Sequence, residues 1–214
     1  MRDDYHRGLD SVGHTLVEMA ELVGQALVRA TLALLESDLP TAEAVIAADD
    51  AVDALHRELD VRTIDLMARQ QPVAGDLRFL VAALRMSADL ERMGELARHV
   101  AELAQMRYPQ CAIPDELRPT FEKMGEIGAD LAQRAARVVE DKDIEAAHTL
   151  EAKDDVVDRL HRAVFTALLS TQNPYTVEQA VDVTLLSRYY ERFADHAVSV
   201  AHRLEYLVTG DGEP

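Results

Sequence analysis

Tryptophan is absent from the 214 residues of this chain, and aromatic residues together make up only 5%. Stacking platforms for nucleotides and drug-sized pockets are usually built from aromatic side chains, so the sequence argues against both. The single cysteine, Cys111, has no partner for an internal disulfide and stands in no redox or nucleophile motif. We interpret it as incidental and as compatible with a reducing compartment.

Long apolar runs and a signal segment are missing as well. The chain has no stretch of about 18 apolar residues, so no membrane-spanning helix is expected. The first ten residues, MRDDYHRGLD, mix charges and lack the apolar core of a secretory signal. We therefore expect a cytoplasmic protein with no direct membrane insertion.

Basic residues are in short supply. The chain has 22 Lys and Arg against 39 Asp and Glu, which gives a formal net charge of -17. Such a surface repels the phosphates of nucleic acids and of anionic lipids, so neither is expected as a partner. The surplus of carboxylates favours cations or a basic surface on a protein partner, although it also keeps a protein soluble.

Glycine and proline are scarce, with nine and seven residues. The prolines fall between long segments in which apolar residues recur every three or four positions, as in Leu16, Met19 and Val23. No strand pattern occurs. The sequence therefore predicts an all-α protein, with helices at roughly 9–37, 41–69, 73–107, 117–141, 143–170 and 176–208.

The two halves of the sequence are related. The segment AADDAVDALHR at 47–57 matches AKDDVVDRLHR at 152–162 at most positions, and ERMGELA at 91–97 aligns with ERFADHA at 191–197. An ordered series of such matches indicates a tandem duplication. We predict two tandem three-helix bundles, with the first unit at 1–108, a linker at 109–119 and the second unit at 120–214.

Two acidic pairs recur in each half, one on the second helix of the unit and one on the third. Every pair has the spacing i,i+4, which places both carboxylates on one helix face, where like charges repel. Two such pairs in each repeat require a bound cation, nearby basic side chains or solvent exposure. The eight positions are Asp49, Asp53, Glu91, Glu95, Asp154, Asp158, Glu191 and Asp195.

Helical geometry brings these pairs together. A tight turn near Gln71 sets Asp49 level with Met93, and the two pairs of the first half level to within about two residues. A turn near Asn173 sets those of the second half level to within about three. Four carboxylates can then converge in each half, and oxygen-rich clusters of this kind suit hard or borderline divalent cations or iron. The alternative is solvation, or neutralisation by Arg92, Arg98 and Arg192.

Histidines offer a competing hypothesis. Asp-x-x-His elements end at His56 and His161, and Glu145-x-x-His148 has the spacing found in di-iron carboxylate bundles. A di-iron site needs two Glu-x-x-His elements around one core, and Glu145-x-x-His148 has no counterpart in the first half. A ferritin-like di-iron carboxylate enzyme is therefore the alternative, and a helical dimerisation scaffold without metal is a third hypothesis.

Other catalytic signatures are absent. The sequence has no Gly-rich phosphate loop, no nucleophile elbow and no cysteine or histidine cluster suited to zinc. We therefore predict that the protein is not an enzyme. Its apolar helix faces lead us to expect a homodimer.

The motif QQPVAGDLR at 70–78, followed by DLERMGE at 89–95, closely resembles the PhoU family of phosphate-signalling regulators. The resemblance covers nearly the whole chain, including the duplication. It implies a cytoplasmic negative regulator that links the phosphate ABC transporter to a sensor histidine kinase and keeps phosphate-starvation genes off when phosphate is plentiful. It also implies multinuclear clusters of divalent or iron ions (Fe, Zn, Mg or Mn) on the eight acidic residues named above.

Two departures from the family pattern bear on the metal. Glu95 stands where the family more often has aspartate, which keeps the charge but lengthens the reach of the carboxylate. His56 and His161 stand where acidic residues are frequent in the family. We therefore expect an altered metal preference.

Overall fold

A computed structural model describes residues 2–141, 144–170 and 174–209, with side chains for 4–141, 149–170 and 174–207. Over these ranges the chain forms six α-helices, one short 3₁₀ turn at Asp115–Leu117 and no strand, so the predicted all-α fold is confirmed. The first helix begins seven residues earlier than predicted. The helices are α1 Arg2–Glu36, α2 Leu39–Gln70, α3 Ala74–Arg107, α4 Arg118–Asp141, α5 Ile144–Leu168 and α6 Val177–Thr209.

The turns on either side of α2 follow from local chemistry. At its start, the carboxylate of Asp38 accepts a hydrogen bond from the backbone N–H of Thr41 at 3.2 Å, and Pro40 lies in the first turn, where no backbone donor is needed. At its end, Gln71 adopts a left-handed conformation with φ 46° and returns its N–H to the carbonyl of Met67. The turn at Asp38 lets α2 run back along α1, and the turn at Gln71 lets α3 run back along α2.

Each half is a three-helix bundle, and the two bundles pack side by side. Helix α2 lies against α1 and α3, and α5 lies against α4 and α6. The halves meet along two further helix pairs, α1 with α4 and α3 with α6. The acidic clusters therefore lie within their own halves, while α1, α3, α4 and α6 form a continuous centre.

Glycines allow α1 and α4 to approach closely. A Cβ at Gly128 would lie 2.5 Å from Cδ2 of Leu27, and one at Gly125 would lie 2.7 Å from the side chain of Thr31. Thr31 also accepts a hydrogen bond from the buried hydroxyl of Tyr190 on α6 at 2.8 Å, since its own proton goes to the carbonyl of Leu27. The contact between the halves is therefore tightly packed.

Apolar side chains from both halves form the core, including Leu16, Leu90, Phe121 and Phe193, all without solvent exposure. Within the described ranges, no helix combines the length and apolar character needed to cross a bilayer. The predicted unit limits of 1–108, 109–119 and 120–214 stay a prediction.

Candidate metal centres

The acidic residues of the first half lie on facing turns of α2 and α3. Gly94 on α3 stands directly opposite Asp49, because a Cβ added at Gly94 would lie 3.1 Å from Oδ1 of Asp49. This agrees with the predicted register, which sets Asp49 level with the neighbouring Met93. The absence of a side chain at Gly94 leaves room for the Asp49 carboxylate between the two helices.

The four carboxylates of this first cluster (Asp49, Asp53, Glu91 and Glu95) influence one another electrostatically. Burial raises the pKa of Asp49, and the charges of Asp53 and Glu95 add to the rise, while Arg98 opposes it. Burial likewise raises the pKa of Glu91, with Glu95 as the next contribution. The four residues that the sequence predicts to be neighbours therefore lie near one another, and their shared site disfavours negative charge.

Arginine neutralises part of the first cluster. Nε of Arg98 donates to Oδ2 of Asp49 at 2.6 Å, and the carboxylate of Asp49 is only 12% exposed. Arg92 forms a short ion pair with Glu95. Two of the three arginines proposed from the sequence as neutralising groups, Arg92 and Arg98, thus have that role.

The second cluster consists of Asp154 and Asp158 on α5 with Glu191 and Asp195 on α6. Burial raises the pKa of Asp154 from its ordinary value of 3.8 to about 7, and the charges of Asp195, Asp158 and Glu191 contribute to the rise. Burial and then Asp195 raise the pKa of Glu191. The second cluster therefore strongly disfavours a negative charge on Asp154, although Asp158 pairs with Arg162.

The second cluster also has oxygens without partners. Oδ1 of Asp154 and Oε2 of Glu191 are buried and have no hydrogen-bond partner among the residues that the structure describes. Arg188 pairs with the other oxygen of Glu191. Val198 stands where the aligned position of the first half has Arg98. Buried carboxylate oxygens without a donor are costly, and a bound cation is one group that would satisfy them.

The carboxylates of the two clusters differ in how well they suit the metal ions that the family resemblance implies. Two orphaned oxygens in a site of four carboxylates fit a hard or borderline cation in the second half. In the first half, Arg98 already occupies one oxygen of Asp49. Across the described residues, no three or more Asp, Glu, His or Cys side chains have their donor atoms gathered as a ready-made metal site. The assignment of the eight carboxylates as ligands stays a prediction.

Two histidine–serine hydrogen bonds repeat in the two halves. Nδ1 of His56 lies 3.2 Å from Oγ of Ser87, and Nδ1 of His161 lies 3.1 Å from Oγ of Ser187. Each serine donates its proton to a backbone carbonyl of its own helix, so each histidine donates through Nδ1. The repetition of the two histidines was visible in the sequence, but their hydrogen bonds to serine were not. Glu145 and His148 lie outside the residues whose side chains are described.

Two ion pairs between the halves were not expected from the sequence. Asp89 on α3 accepts from Nε of Arg203 at 2.7 Å and contacts Nδ1 of His196 at 3.0 Å, both on α6. Asp182 on α6 accepts two hydrogen bonds from Arg107 on α3, at 2.6 and 2.9 Å. Asp89 and Asp182 are buried apart from 8% and 4% of their surfaces. The only signal in the sequence was a carboxylate at an apolar position of the helical pattern.

The chain is similar to known proteins over nearly its whole length. The family model for the PhoU domain matches residues 16–104 and 121–204. The phosphate-specific transport system accessory protein PhoU homolog 2 of Mycobacterium tuberculosis is 46% identical, over 98% of this chain and 99% of its own length. Homolog 1 of Mycobacterium leprae is 44% identical, over 98% and 95%. The crystal structure of PhoU from Pseudomonas aeruginosa superimposes with a TM-score of 0.88 and 27% identity, covering 97% of this chain and 100% of that one.

Proposed function

Because this chain belongs to the PhoU family, we propose that it is an accessory regulator of phosphate transport that keeps phosphate-uptake and phosphate-starvation genes repressed when phosphate is abundant. The proposal is supported by relatives named as accessory proteins of the phosphate-specific transport system, which align with this chain from end to end. An accessory role needs no chemistry of its own, in agreement with the prediction of a non-enzyme.

The adaptor role extends this proposal to specific partners. The protein would act between the phosphate ABC transporter and a sensor histidine kinase, in the cytoplasm, as the family resemblance implies. Long exposed helices support docking onto folded partners, and apolar side chains at Val61 and Ile64 on α2 are 71% and 60% exposed. A homodimer through such faces belongs to the same proposal, and light scattering of the purified protein measures it directly.

Metal binding is the second part of the proposal, and the orphaned oxygens of Asp154 and Glu191 are the observation that carries it. A divalent or iron cation bound there would supply the positive charge that the buried carboxylates lack. Asp158 and Asp195 would complete the ligand set from the same faces of α5 and α6. In the first half, Asp49, Asp53, Glu91 and Glu95 would hold a cation only after Arg98 and Arg92 release their partners.

The regulatory part is tested by gene deletion. In a strain without a second copy, deletion should raise expression of a phosphate-uptake reporter in high phosphate, and the wild-type gene should restore repression. Expression that stays low after deletion would reject the regulatory role. Oxygen consumption by iron-loaded protein would instead support the alternative of a di-iron enzyme.

The metal part is tested with a matched pair of variants. Asp154→Asn with Glu191→Gln removes two charges from the second cluster, and Glu116→Gln with Glu122→Gln removes two from exposed positions outside it. Protein purified without chelator should contain metal by elemental analysis in the wild type and in the exposed-position variant, and should lose most of it in the cluster variant. Equal metal content in all three would reject the assignment of the second cluster and favour a scaffold without metal.

A further inference from the structure

A small cavity lies between the first turns of α3 and the last turns of α6, away from both acidic clusters. Its volume is about 230 Å³, below the range of roughly 300–1,000 Å³ typical of drug-sized sites, so it suits a small group. The apolar part of its wall is formed by Leu77, Val81 and Ala82. The ring of Tyr206 and the guanidinium groups of three arginines, Arg78, Arg85 and Arg203, complete the lining.

Two of these arginines have no partner within the part of the chain that the structure describes. Arg78 and Arg85 are exposed residues two helical turns apart on one face of α3, and neither makes an ion pair or hydrogen bond with any residue that the structure describes. The third, Arg203, gives its Nε to Asp89 at 2.7 Å. Three guanidinium groups therefore face a single carboxylate, which leaves an excess of two positive charges in a chain whose net charge is -17.

The first turns of α6 provide an internal comparison, because a second cavity lies there, lined by residues between Tyr175 and Leu185. Val177 and Val181 take the positions of Leu77 and Val81, and none of the residues that line this second cavity is basic. Glu178 stands where the first half has Arg78. Glu178 and Asp182 both form ion pairs with Arg107. Among the described residues, the first turns of α6 therefore present no unpaired arginine, while those of α3 present Arg78 and Arg85.

The chemistry of the unpaired cavity specifies its ligand. Planar guanidinium groups bind phosphate oxygens through paired N–H donors more effectively than other side chains do. A phosphate group carries about -1.5 to -2 charges at pH 7, which matches the local excess of two. The apolar wall and Tyr206 add room for part of an organic body beside the phosphate.

We propose that this cavity binds a phosphate group, either inorganic phosphate or the phosphate of a small monoester. Arg78 and Arg85 bind its oxygens, and the terminal nitrogens of Arg203 complete the site. Leu77 and Tyr206 contact the organic body when there is one. The site is independent of the acidic clusters and of any metal that they hold.

The test is calorimetric titration of metal-stripped protein, in phosphate-free buffer at low ionic strength, with inorganic phosphate and separately with adenosine monophosphate. We expect saturable binding of at least one of them. Arg78→Gln with Arg85→Gln should weaken that binding by about tenfold or more, since two charge-assisted contacts are lost. Both residues are exposed, and an unchanged thermal unfolding profile checks that the variant is folded.

The control variant is Arg57→Gln with Arg159→Gln, which removes the same charge from two exposed arginines that have no described partner and lie on α2 and α5. It should bind phosphate within about twofold of wild type, because exposed charges far from the cavity interact only weakly with the ligand through water. If both ligands bind with equal affinity, the phosphate ion alone is sufficient for binding. If adenosine monophosphate binds more tightly and Tyr206→Ala abolishes that difference, the ligand is an organic monophosphate. Absence of binding for both ligands, or equal weakening in the two variants, would overturn the proposal.

Discussion

Arg98 is the residue by which the two acidic clusters differ most. Its guanidinium lies 2.6 Å from Asp49, whereas the aligned position of the second half is Val198. Duplication therefore preserved the carboxylates but not the arginine beside the first of them. In the second cluster Arg162 pairs with Asp158 and Arg188 with Glu191, while Oδ1 of Asp154 is buried with no partner among the described residues.

Replacing Arg98 by methionine should make the first cluster behave like the second. The change leaves the largely buried Asp49 without its donor, so in chelator the free energy of unfolding should fall by about 1–3 kcal/mol. Millimolar manganese should restore more stability to the variant than it adds to wild type. Arg69→Met, which breaks an exposed pair with Asp65, is the control and should cost less than about 0.5 kcal/mol. Equal losses in the two variants would contradict the assignment.

Asp154 should make the stability of the metal-free protein depend on pH. Its folded pKa of about 7 lies above the ordinary 3.8, so the folded state binds the proton more tightly. The stabilisation is complete below about pH 4 and is lost as the pH rises through 7. Asp154→Asn should reduce this dependence, with Glu191 and Asp195 carrying part of the remainder, and should be more stable than wild type at pH 8 by about 1–2 kcal/mol, a value reduced for partial solvent exposure.

Urea unfolding of chelated protein at pH 5, 6, 7 and 8 measures this effect. Glu122→Gln removes an exposed carboxylate elsewhere and should follow the wild-type pH profile. If Asp154→Asn also follows that profile, the buried carboxylate does not carry the pH dependence.

At the scale of the helix, the packing of α1 on α4 depends on residues without side chains. Gly125 faces Thr31, whose hydroxyl is bonded both to the carbonyl of Leu27 and to Tyr190. Thr31 is thus held on two sides and has little freedom to move away. Such a position tolerates glycine because a closely packed helix pair leaves no volume for a methyl group.

Gly125→Ala should destabilise the protein although alanine is the better helix former. The new Cβ would lie 2.7 Å from the side chain of Thr31, and the overpacking should exceed the gain of about 1 kcal/mol in helix propensity, for a net loss of about 1–3 kcal/mol. Gly75→Ala is the control, because a Cβ there meets nothing within 4 Å. Thermal unfolding of both variants measures the difference, and a stabilised Gly125→Ala would show that α4 can shift freely.

For the whole molecule, the two bundles behave as one unit because buried ion pairs and shared apolar core join them. Asp182 and Asp89 both place carboxylates inside the α3/α6 contact and receive donors from the other half. A buried pair adds little net stability, but removing one partner leaves a buried charge uncompensated. These pairs therefore hold the two repeats in one relative arrangement.

Arg107→Ala should lower the free energy of unfolding, since Asp182 is only 4% exposed and keeps its desolvation cost. Adding Asp182→Ala should recover part of that loss, so the double variant should be less destabilised than the sum of the two single variants. Denaturant unfolding of the four proteins completes the cycle. Additive losses would place the Arg107 contribution in packing instead of in the ion pair.

The sequence by itself determined the helices, the duplication and the register of the acidic pairs. These features depend on local periodicity and on the position of the turns, as Asp38 and Gln71 illustrate at the ends of α2. Asp49 lies opposite Gly94, one residue from its expected neighbour, because two helices joined by a tight turn have little freedom to slide.

Only the tertiary structure decided which charges are neutralised and which are left without partners. Asp89 shares the apolar pattern of α3, and nothing in that pattern indicates that its partners lie on α6. The same holds for the cavity at Arg78 and Arg85, whose opposite wall comes from the other repeat. Periodicity specifies which face of a helix is buried, whereas the partner of a buried polar group depends on how separate helices cross, which no local pattern encodes.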